Sequence, residues 1–282
     1  EIFPHAKLIK SSHNYFVGGA ANRALDYANG EYVLLLCADV ILKEDFLEKG
    51  IEIFMKDSGI GVLQAKILKF SLSDNRIRKT EIIDTTGFLI FKSGRIINRG
   101  HGEEDKNQFR EGEIFSYEGA AGFFRKKALD EAKIDGELFD EDFGWMADDI
   151  DLGWRLRNFG WKNYYAPGLI CWHDRKTTKR LSQSRLDFIR QRRDVPPLKR
   201  RLDFQNTILT LIKNMSCKNF LKHFFTLLSR QIMLGIYIVA FEFSSISAFF
   251  GIIRLLPRIL KKRRDIMKRK KMSFQEMENW MS

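Results

Sequence analysis

Tyr32-Val-Leu-Leu-Leu-Cys-Ala-Asp39 is the stretch that decides the fold class of this 282-residue chain. Its apolar run has the length of a strand and no polar alternation, which is typical of a strand buried in a parallel sheet. A helical pattern follows over Glu44–Lys56, and a second apolar run covers Ile60–Leu68. This order predicts an α/β fold with a mostly parallel sheet flanked by helices. Ligands of such sheets bind beyond the carboxyl ends of the strands, so we expect Asp39 to lie at a functional site.

The rest of the first half is interpreted from the same periodicities. Residues 71–115 are polar and contain several glycines, so we expect them to be largely loop, with one hairpin that turns at 92–95. The other predicted elements are a strand at 7–9, a helix over Val17–Asn29 ended by Gly30, a helix over Ala147–Asn158 ended by Gly160, and a strand pair at Tyr164–Tyr165 and Leu169–Trp172.

Charge divides the chain into two parts. Residues 1–174 carry 23 Lys and Arg against 29 Asp and Glu, a net charge of −6, whereas residues 175–282 carry 25 against 7, a net charge of +18. We therefore predict an α/β domain over 1–174 and a basic helical tail over 175–282. Such a tail can meet nucleic acid, anionic lipid or a phosphorylated carrier. The three cysteines have no metal-ligand spacing, which argues against a zinc site or a disulfide scaffold.

The tail contains an apolar segment, Gln231–Ile253, that is long enough to span a bilayer. Glu242 lies in the middle of it, where an acidic residue costs about 2.5–3.5 kcal/mol on insertion scales. Basic clusters follow at 261–264 and 268–271, and each charge near the surface adds about 1 kcal/mol of attraction to anionic lipid. We favour a helical hairpin lying at the membrane interface over a single span.

Acidic residues and one histidine are the candidates for chemistry. Asp39 follows a buried strand, where a carboxylate can hold a divalent cation, although it can equally be a helix N-terminal acid. Three carboxylates lie close together at Asp148, Asp149 and Asp151, and their negative charges repel one another. A helix dipole, a metal or a catalytic need has to compensate for this repulsion. The alternative is that they form a solvated acidic cap of the helix. His173 ends an apolar strand and can be a ligand or a satisfied polar group.

Taken in order, these stretches resemble the motif series of family 2 glycosyltransferases, which have a GT-A, Rossmann-like fold. The matching stretches are Asn14–Asn22, Leu34–Asp39, Gly119–Ala121, Phe139–Phe143, Asp148–Arg155 and Tyr165–His173. Three stretches are most similar to the bacterial rhamnosyltransferase-like branch, namely Ile83–Gly87, Arg99–Gly102 and Gly119–Lys127.

The resemblance implies a role for each matching residue. Asp149 would be the catalytic base, with Asp148 beside it where a Glu is more usual. Asp39 and His173 would bind Mg²⁺ or Mn²⁺ at the donor diphosphate. The residues implied at the donor and acceptor sites are Asn14, Gly19, Asn22, Gly119, Trp145, Asp148 and Arg155, and Arg155 would also support the helix together with Asp151.

The resemblance also implies a reaction and its partners. A base deprotonates an acceptor hydroxyl, which displaces a nucleoside diphosphate in one step and inverts the anomeric centre. The donor would be a nucleotide sugar, with dTDP-rhamnose suggested by the branch, and the acceptor a polyprenyl-linked saccharide of cell-envelope polysaccharide synthesis. The tail would hold the protein, peripheral or monotopic, on the anionic cytoplasmic face of the plasma membrane. We expect no nucleic-acid partner, because the tail lacks a groove-reading motif.

Two departures keep a second function open. Cys37-Ala38 stand where the family often has Asn-Pro or Asp-Ala, which leaves one metal carboxylate. The family's first strand has no counterpart, so we expect the chain to start at the second strand as an N-terminally truncated domain. A non-catalytic glycosyltransferase-like subunit is therefore the alternative to an enzyme.

Overall fold

A computed structural model describes residues 5–73, 76–175, 192 and 194–282. Its strands are β1 (Tyr32–Leu36), β2 (Val40–Leu42), β3 (Ile60–Ser73), β4 (Arg76–Thr85), β5 (Phe88–Ile90), β6 (Ile96–Asn98), β7 (Gly112–Glu113), β8 (Ala121–Arg125) and β9 (Lys162–His173). Its helices are α1 (Phe16–Leu25), α2 (Phe46–Lys56), α3 (Lys126–Ala132), α4 (Asp148–Asn158), α5 (Pro197–Asn214), α6 (Cys217–Lys222), α7 (Phe224–Phe241), α8 (Ser247–Arg269) and α9 (Phe274–Trp280).

The main sheet has the order β1-β8-β3-β9-β2, with β4 on β3 and β7 on β9. The expected α/β fold is confirmed, but the expected mostly parallel pairing is not. Among the described strands, β3–β9 is the parallel pair, and the other pairs of this sheet are antiparallel. Strands β1 and β3 do run in the same direction, as the strand–helix–strand order predicts, because both are antiparallel to β8. The sequence predicted their direction and missed the strand that separates them.

Three element predictions are corrected by the structure. Residues 7–9 are not a strand, and part of the expected loop over 71–115 is β4, which pairs with the end of β3. The strand pair near Tyr164 is one strand, β9. Pro167 and Gly168 lie in an irregularity of this strand, where Ala166 opposes Ala65 and Ile170 opposes Lys66. The predicted hairpin at 92–95 is confirmed as β5 and β6.

Helices cover both faces of the sheet. Neighbouring residues of β8 point to opposite sides, so Phe124 joins the core under α3 and α4, whereas Phe123 joins the core under α2. Ile266 of α8 lies in the same core as Leu152 of α4. The basic tail thus contributes to the core of the α/β part.

The apolar segment Gln231–Ile253 forms two helices with a break between them. Helix α7 ends at Phe241, a short 3₁₀ turn covers Phe243–Ser245, and α8 begins at Ser247. Glu242 lies at the break, buried, where it accepts hydrogen bonds from Arg192 (2.6 Å) and Ser245 (2.6 Å). A buried ion pair explains why the acid interrupts the apolar segment. The break between the two helices agrees with the predicted helical hairpin. Its position at a membrane interface stays a prediction.

Candidate active site

Asp39 and His173 meet at one edge of the sheet. Asp39 follows β1, and His173 ends β9 opposite Val40. The Asp39 Oδ1 and His173 Nε2 atoms are 3.5 Å apart, and the side chain of Asp39 is 48% exposed whereas that of His173 is 10% exposed. The pair therefore joins a half-exposed carboxylate to an imidazole nitrogen that is largely buried beside it.

A buried carboxylate fixes the imidazole from behind. Asp84, at the end of β4, lies 2.9 Å from His173 Nδ1 and accepts hydrogen bonds from Arg175 Nε (2.7 and 2.8 Å); His101 Nδ1 is 3.4 Å from it. Burial is the largest effect and raises the pKa of Asp84, but its basic partners together lower that pKa well below its usual range. Burial lowers the pKa of His173, and the hydrogen bond to Asp84 reverses this, so the net direction is upward. A carboxylate behind an imidazole orients the outer nitrogen as a ligand.

Asp149 is held at the N-terminal end of α4. Its Oδ2 accepts a hydrogen bond from the Gly119 N–H (3.0 Å), and Ser116 Oγ donates to its backbone carbonyl (3.0 Å). Gly153, one turn further on, permits this approach, because a Cβ there would lie 1.9 Å from Ser116 Oγ. The helix N-terminus and the Gly119 amide both stabilise negative charge on the carboxylate.

Cys37 and Gly119 link the surroundings of Asp39 and Asp149, because Asp39 is two residues after Cys37 and Asp149 accepts a hydrogen bond from the Gly119 N–H. The Cys37 N–H donates a hydrogen bond to the Ala120 carbonyl (2.9 Å), next to the β1–β8 pairing, and the Cys37 Sγ is 3.9 Å from Gly119 O. Burial first, and then the negative charges of Glu118, Asp39 and Asp149, raise the pKa of Cys37 to about 11. The charges of the two predicted carboxylates thus both act on the Cys37 thiol.

Asp148 differs from its neighbour. Its Oδ1 is out of solvent, and none of the described residues offers it a hydrogen bond. Burial, followed by the charges of Asp149 and Asp151, raises the pKa of Asp148 well above its usual range. A Cβ at Gly18 of α1 would lie 3.4 Å from this oxygen, so α1 covers the carboxyl. The environment favours the protonated carboxyl here.

Arg155 is not at the ligand-facing surface, which corrects its assignment to the donor and acceptor sites. The guanidinium is 1% exposed, and it bonds to Asp151 and to the carbonyls of Ala132 and Leu138. Its donors are directed into the core, so it supports α4, as the resemblance also implied for it and for Asp151.

The other predicted residues surround α1 and the turn before α4. Asn14 Oδ1 accepts from the Phe16 N–H, and Asn22 exchanges two hydrogen bonds with the backbone of Phe139, so the amide of Asn22 fastens α1 and is not free for a ligand. Gly19 fits tightly beside Tyr15, where a Cβ would lie 3.1 Å from that side chain's Cβ. Trp145 is half-buried, with Lys199 Nζ 5.5 Å from its ring centre.

Sequence reasoning missed the residue that shapes the turn before α4. Asn206, fully buried on α5, donates its amide hydrogens to the carbonyls of Phe143 (2.8 Å), Trp145 (2.8 Å) and Met146 (3.1 Å). Met146 and Ala147 have φ of 78° and 67°, in the left-handed region that non-glycine residues rarely adopt. The amide thus holds the strained turn that places Asp148 and Asp149.

Other missed residues are Asp84, His101, Glu118 and Arg175, which surround His173. Arg175 bonds to both Asp84 and Glu118 and joins them behind the imidazole. Asp84 and His101 do lie in the stretches Ile83–Gly87 and Arg99–Gly102, and this was the only signal in the sequence. Nothing local to those stretches indicates that they contact β9.

The residues fit a divalent cation at Asp39 and His173. The chain offers one carboxylate and one imidazole with a fixed outer nitrogen, and no group of three or more His, Cys, Asp or Glu suited to a metal occurs within the described ranges. The remaining ligands would come from the substrate and water.

The fold and this edge of the sheet define a GT-A-like α/β domain. Residues 2–194 match the family model described as glycosyltransferase like family 2. The chain therefore belongs to this family.

Known relatives are distant and longer. The poly-β-1,6-N-acetyl-D-glucosamine synthase of Staphylococcus epidermidis, strain ATCC 35984, is 28% identical over 168 residues, which are 59% of this chain and 36% of the synthase. A similar solved structure is that of GalNAc-T7 with UDP, GalNAc and Mn²⁺, at a TM-score of 0.50 and 12% identity, covering 73% of this chain and 36% of that one. The chain thus spans about a third of the length of these proteins.

Proposed function

We propose that this chain catalyses the transfer of a sugar from a nucleotide-sugar donor to an acceptor hydroxyl, with inversion at the anomeric carbon. The convergence of Asp149 with the Asp39–His173 pair around Gly119 and Cys37 carries this proposal. In this proposal the base and the cation-binding pair lie at one edge of the sheet, where the donor and the acceptor would meet.

Asp149 is the base in this mechanism. Its carboxylate accepts the proton of the acceptor hydroxyl, and the oxygen attacks the anomeric carbon as the nucleoside diphosphate leaves. One displacement requires one base, so no second nucleophilic carboxylate is involved. A divalent cation at Asp39 and His173 would supply positive charge beside the departing diphosphate. Asp84 and Arg175 keep the imidazole oriented, and Asn206 keeps α4 in place.

The sugar is assigned from the stretches that resemble the rhamnosyltransferase-like branch. We propose dTDP-rhamnose as the donor, because Asp84, which belongs to one of those stretches, contacts His173 at the proposed donor site, and His101, from another, contacts Asp84. The acceptor in this proposal is a polyprenyl-linked saccharide of cell-envelope polysaccharide. The relative that makes poly-β-1,6-N-acetyl-D-glucosamine supports a polysaccharide product.

Membrane association is proposed from the two apolar helical segments. Phe224–Phe241 and Phe243–Arg269 are long and apolar enough to cross a membrane, and 11% and 22% of their apolar windows are buried. Core helices would be mostly buried. We propose that these helices lie on the anionic cytoplasmic face of the plasma membrane as a peripheral or monotopic anchor. In vesicle flotation, we expect more of the chain to float with phosphatidylglycerol vesicles than with phosphatidylcholine vesicles. Equal flotation with both would contradict an attraction of the basic tail to anionic lipid.

The test of the transfer reaction is sugar release from a panel of nucleotide sugars in the presence of Mn²⁺. We expect turnover of one donor, lost with a chelator and reduced by roughly 10²–10⁴-fold in Asp149→Asn. Asp130→Asn is the matched control, because Asp130 forms exposed ion pairs on α3 away from the site. Failure to turn over any donor, with lipid extract added as acceptor, would favour the non-catalytic subunit.

A further inference from the structure

A cavity of about 370 Å³ lies outside the edge of the sheet that holds Asp39 and His173. It is enclosed by the first residue of α1, the turn Glu141–Gly144, and helices α5 and α8. Its size is in the range of small-molecule sites. Among the described residues, helices of the basic tail thus form one side of it and the α/β part forms the other.

One wall of the cavity is apolar and open at its mouth. Phe250 is 71% exposed, Leu198 41% and Phe16 39%, and Leu202 and Leu255 form the floor. Exposed aromatic and aliphatic side chains around a cavity indicate a ligand with an apolar part.

The other wall carries two arginines, Arg201 and Arg254. Within the part of the chain that the structure describes, neither guanidinium forms an ion pair, and Arg201 Nε is out of solvent without a hydrogen-bond partner. A buried donor without a partner is costly, and a guanidinium matches the geometry of phosphate. Arg201 therefore lacks an anionic partner within the described residues, and the exposed Arg254 adds a second positive charge to the same cavity.

Two carboxylates also line the cavity, but both have partners. Glu141 bonds to Arg23 (2.7 Å) and Asp142 to Arg258 (2.8 Å). Their charges are thus balanced outside the cavity, and the positive charge of Arg201 and Arg254 remains available inside it.

The apolar surface continues beyond the mouth along the tail. Ile253, one turn from Phe250 on α8, is 69% exposed, and Phe243 before α8 is 71% exposed. A hydrocarbon chain that leaves the cavity would therefore meet further apolar side chains.

We propose that this cavity binds an amphiphile that carries a phosphate or diphosphate head group. Arg201 and Arg254 bind the head group, and Phe16, Leu198 and Phe250 contact the start of the hydrocarbon chain. This inference rests on the proposed function, in which the amphiphile is the carrier of the acceptor. The cavity adjoins the site through α1, since Phe16 lines the cavity and Gly18 lies against Asp148.

The test is equilibrium binding of geranylgeranyl diphosphate to the full chain in a neutral detergent, with inorganic diphosphate and the neutral alcohol geranylgeraniol as comparison ligands. We expect geranylgeranyl diphosphate to bind about tenfold or more tightly than either, and Arg201→Gln/Arg254→Gln to weaken it by about tenfold or more. The control, Arg110→Gln/Arg264→Gln, removes two exposed arginines outside the cavity lining and should change binding by about twofold or less. If the double variant misfolds, Arg254→Gln alone replaces it, because this change alters an exposed side chain. It should also weaken the binding of geranylgeranyl diphosphate.

Four results would overturn the inference: no saturable binding of geranylgeranyl diphosphate, equal affinity for inorganic diphosphate, equal affinity for geranylgeraniol, or an equal loss in both double variants. The first two would show that the cavity does not recognise an amphiphile, and the third that it does not recognise the charged head group. The fourth would show general attraction to the basic tail. Binding is measured without a nucleotide sugar. If the amphiphile does not bind but the donor is turned over, the proposed function stands and this inference fails. If the amphiphile binds but no donor is turned over, the cavity binds its ligand and the proposed transfer reaction fails.

Discussion

Lys213 of α5 donates a hydrogen bond to Asp151 of α4 across 2.9 Å, and both side chains are 1% exposed. The same ammonium bonds to Asp140 at 2.7 Å, and Asp140 also pairs with Lys262 of α8. The helix that begins with Asp148 and Asp149 is thus tied by buried ion pairs to the basic tail. Residues far downstream of the α/β part support its proposed catalytic helix.

Replacing Lys213 by Met should destabilise the fold strongly. The change leaves Asp151 and Asp140 buried with fewer partners, and breaking one side of a buried ion pair costs about 3–5 kcal/mol. The free energy of unfolding from urea titration measures this. Lys218→Met is the control, because Lys218 is exposed on α6. A loss no larger than that of the control would contradict a structural role for the ion pairs.

Asp140 should make stability depend on acid pH. Burial raises its pKa, but the charges of Lys213 and Lys262 outweigh this and lower the pKa to about 2 from 3.8. Because the folded-state pKa is the lower one, the ion pairs contribute fully above about pH 4. Their contribution, about 2 kcal/mol, is lost as the pH falls towards 2.

The measurement is urea unfolding at several pH values between 5 and 2 for the wild type and Asp140→Asn. The variant should be less stable at pH 5 and should lose less stability as the pH falls. If the free energy of unfolding falls equally with pH in both proteins, Asp140 is not the source of the pH dependence.

Asn206→Leu should slow the reaction more than it weakens donor binding. The substitution removes the amide that holds three carbonyls of the turn before α4, so Asp149 loses its placement while Asp39 and His173 keep theirs. Misplacement of a catalytic group by about 1 Å can cost about 10²-fold in rate. We expect kcat to fall by roughly 10–10²-fold with a donor KM changed by about threefold or less.

Steady-state kinetics with the donor that the wild type turns over provide this measurement. Asn279→Leu makes the same substitution at an exposed position of α9 and should leave both constants unchanged. A rise in KM with an unchanged kcat would assign Asn206 to binding.

Asp39→Asn should raise the Mn²⁺ concentration that gives half-maximal turnover by about tenfold or more, since it removes the carboxylate of the proposed cation pair. Asp84→Asn should act in the same direction, because Asp84 orients His173. Asp26→Asn, at an exposed position, serves as the control. An unchanged Mn²⁺ dependence in Asp39→Asn would remove Asp39 from the metal site.

The sequence by itself determined the α/β class and several elements. Helix α4 was predicted over Ala147–Asn158 and is found at Asp148–Asn158, because helical periodicity and the stop at Gly160 are local properties. The motif order also indicated Asp39, Asp149 and His173, and the edge of the sheet brings them together. The cost of an acid inside an apolar segment favoured a helical hairpin over a span, and the structure has a break between two helices in this segment, at Glu242.

Only the tertiary structure decided which strands are neighbours and which side chains support the site. Strand β8 lies between β1 and β3, a pairing that apolar periodicity does not encode. Asp84 meets His173 across 89 residues, and Lys213 meets Asp151 across 62. Each of these polar groups is buried, and a buried charge is tolerated only where the folded chain brings it a partner. Such partners are set by packing of distant segments, so no local stretch of sequence contains them.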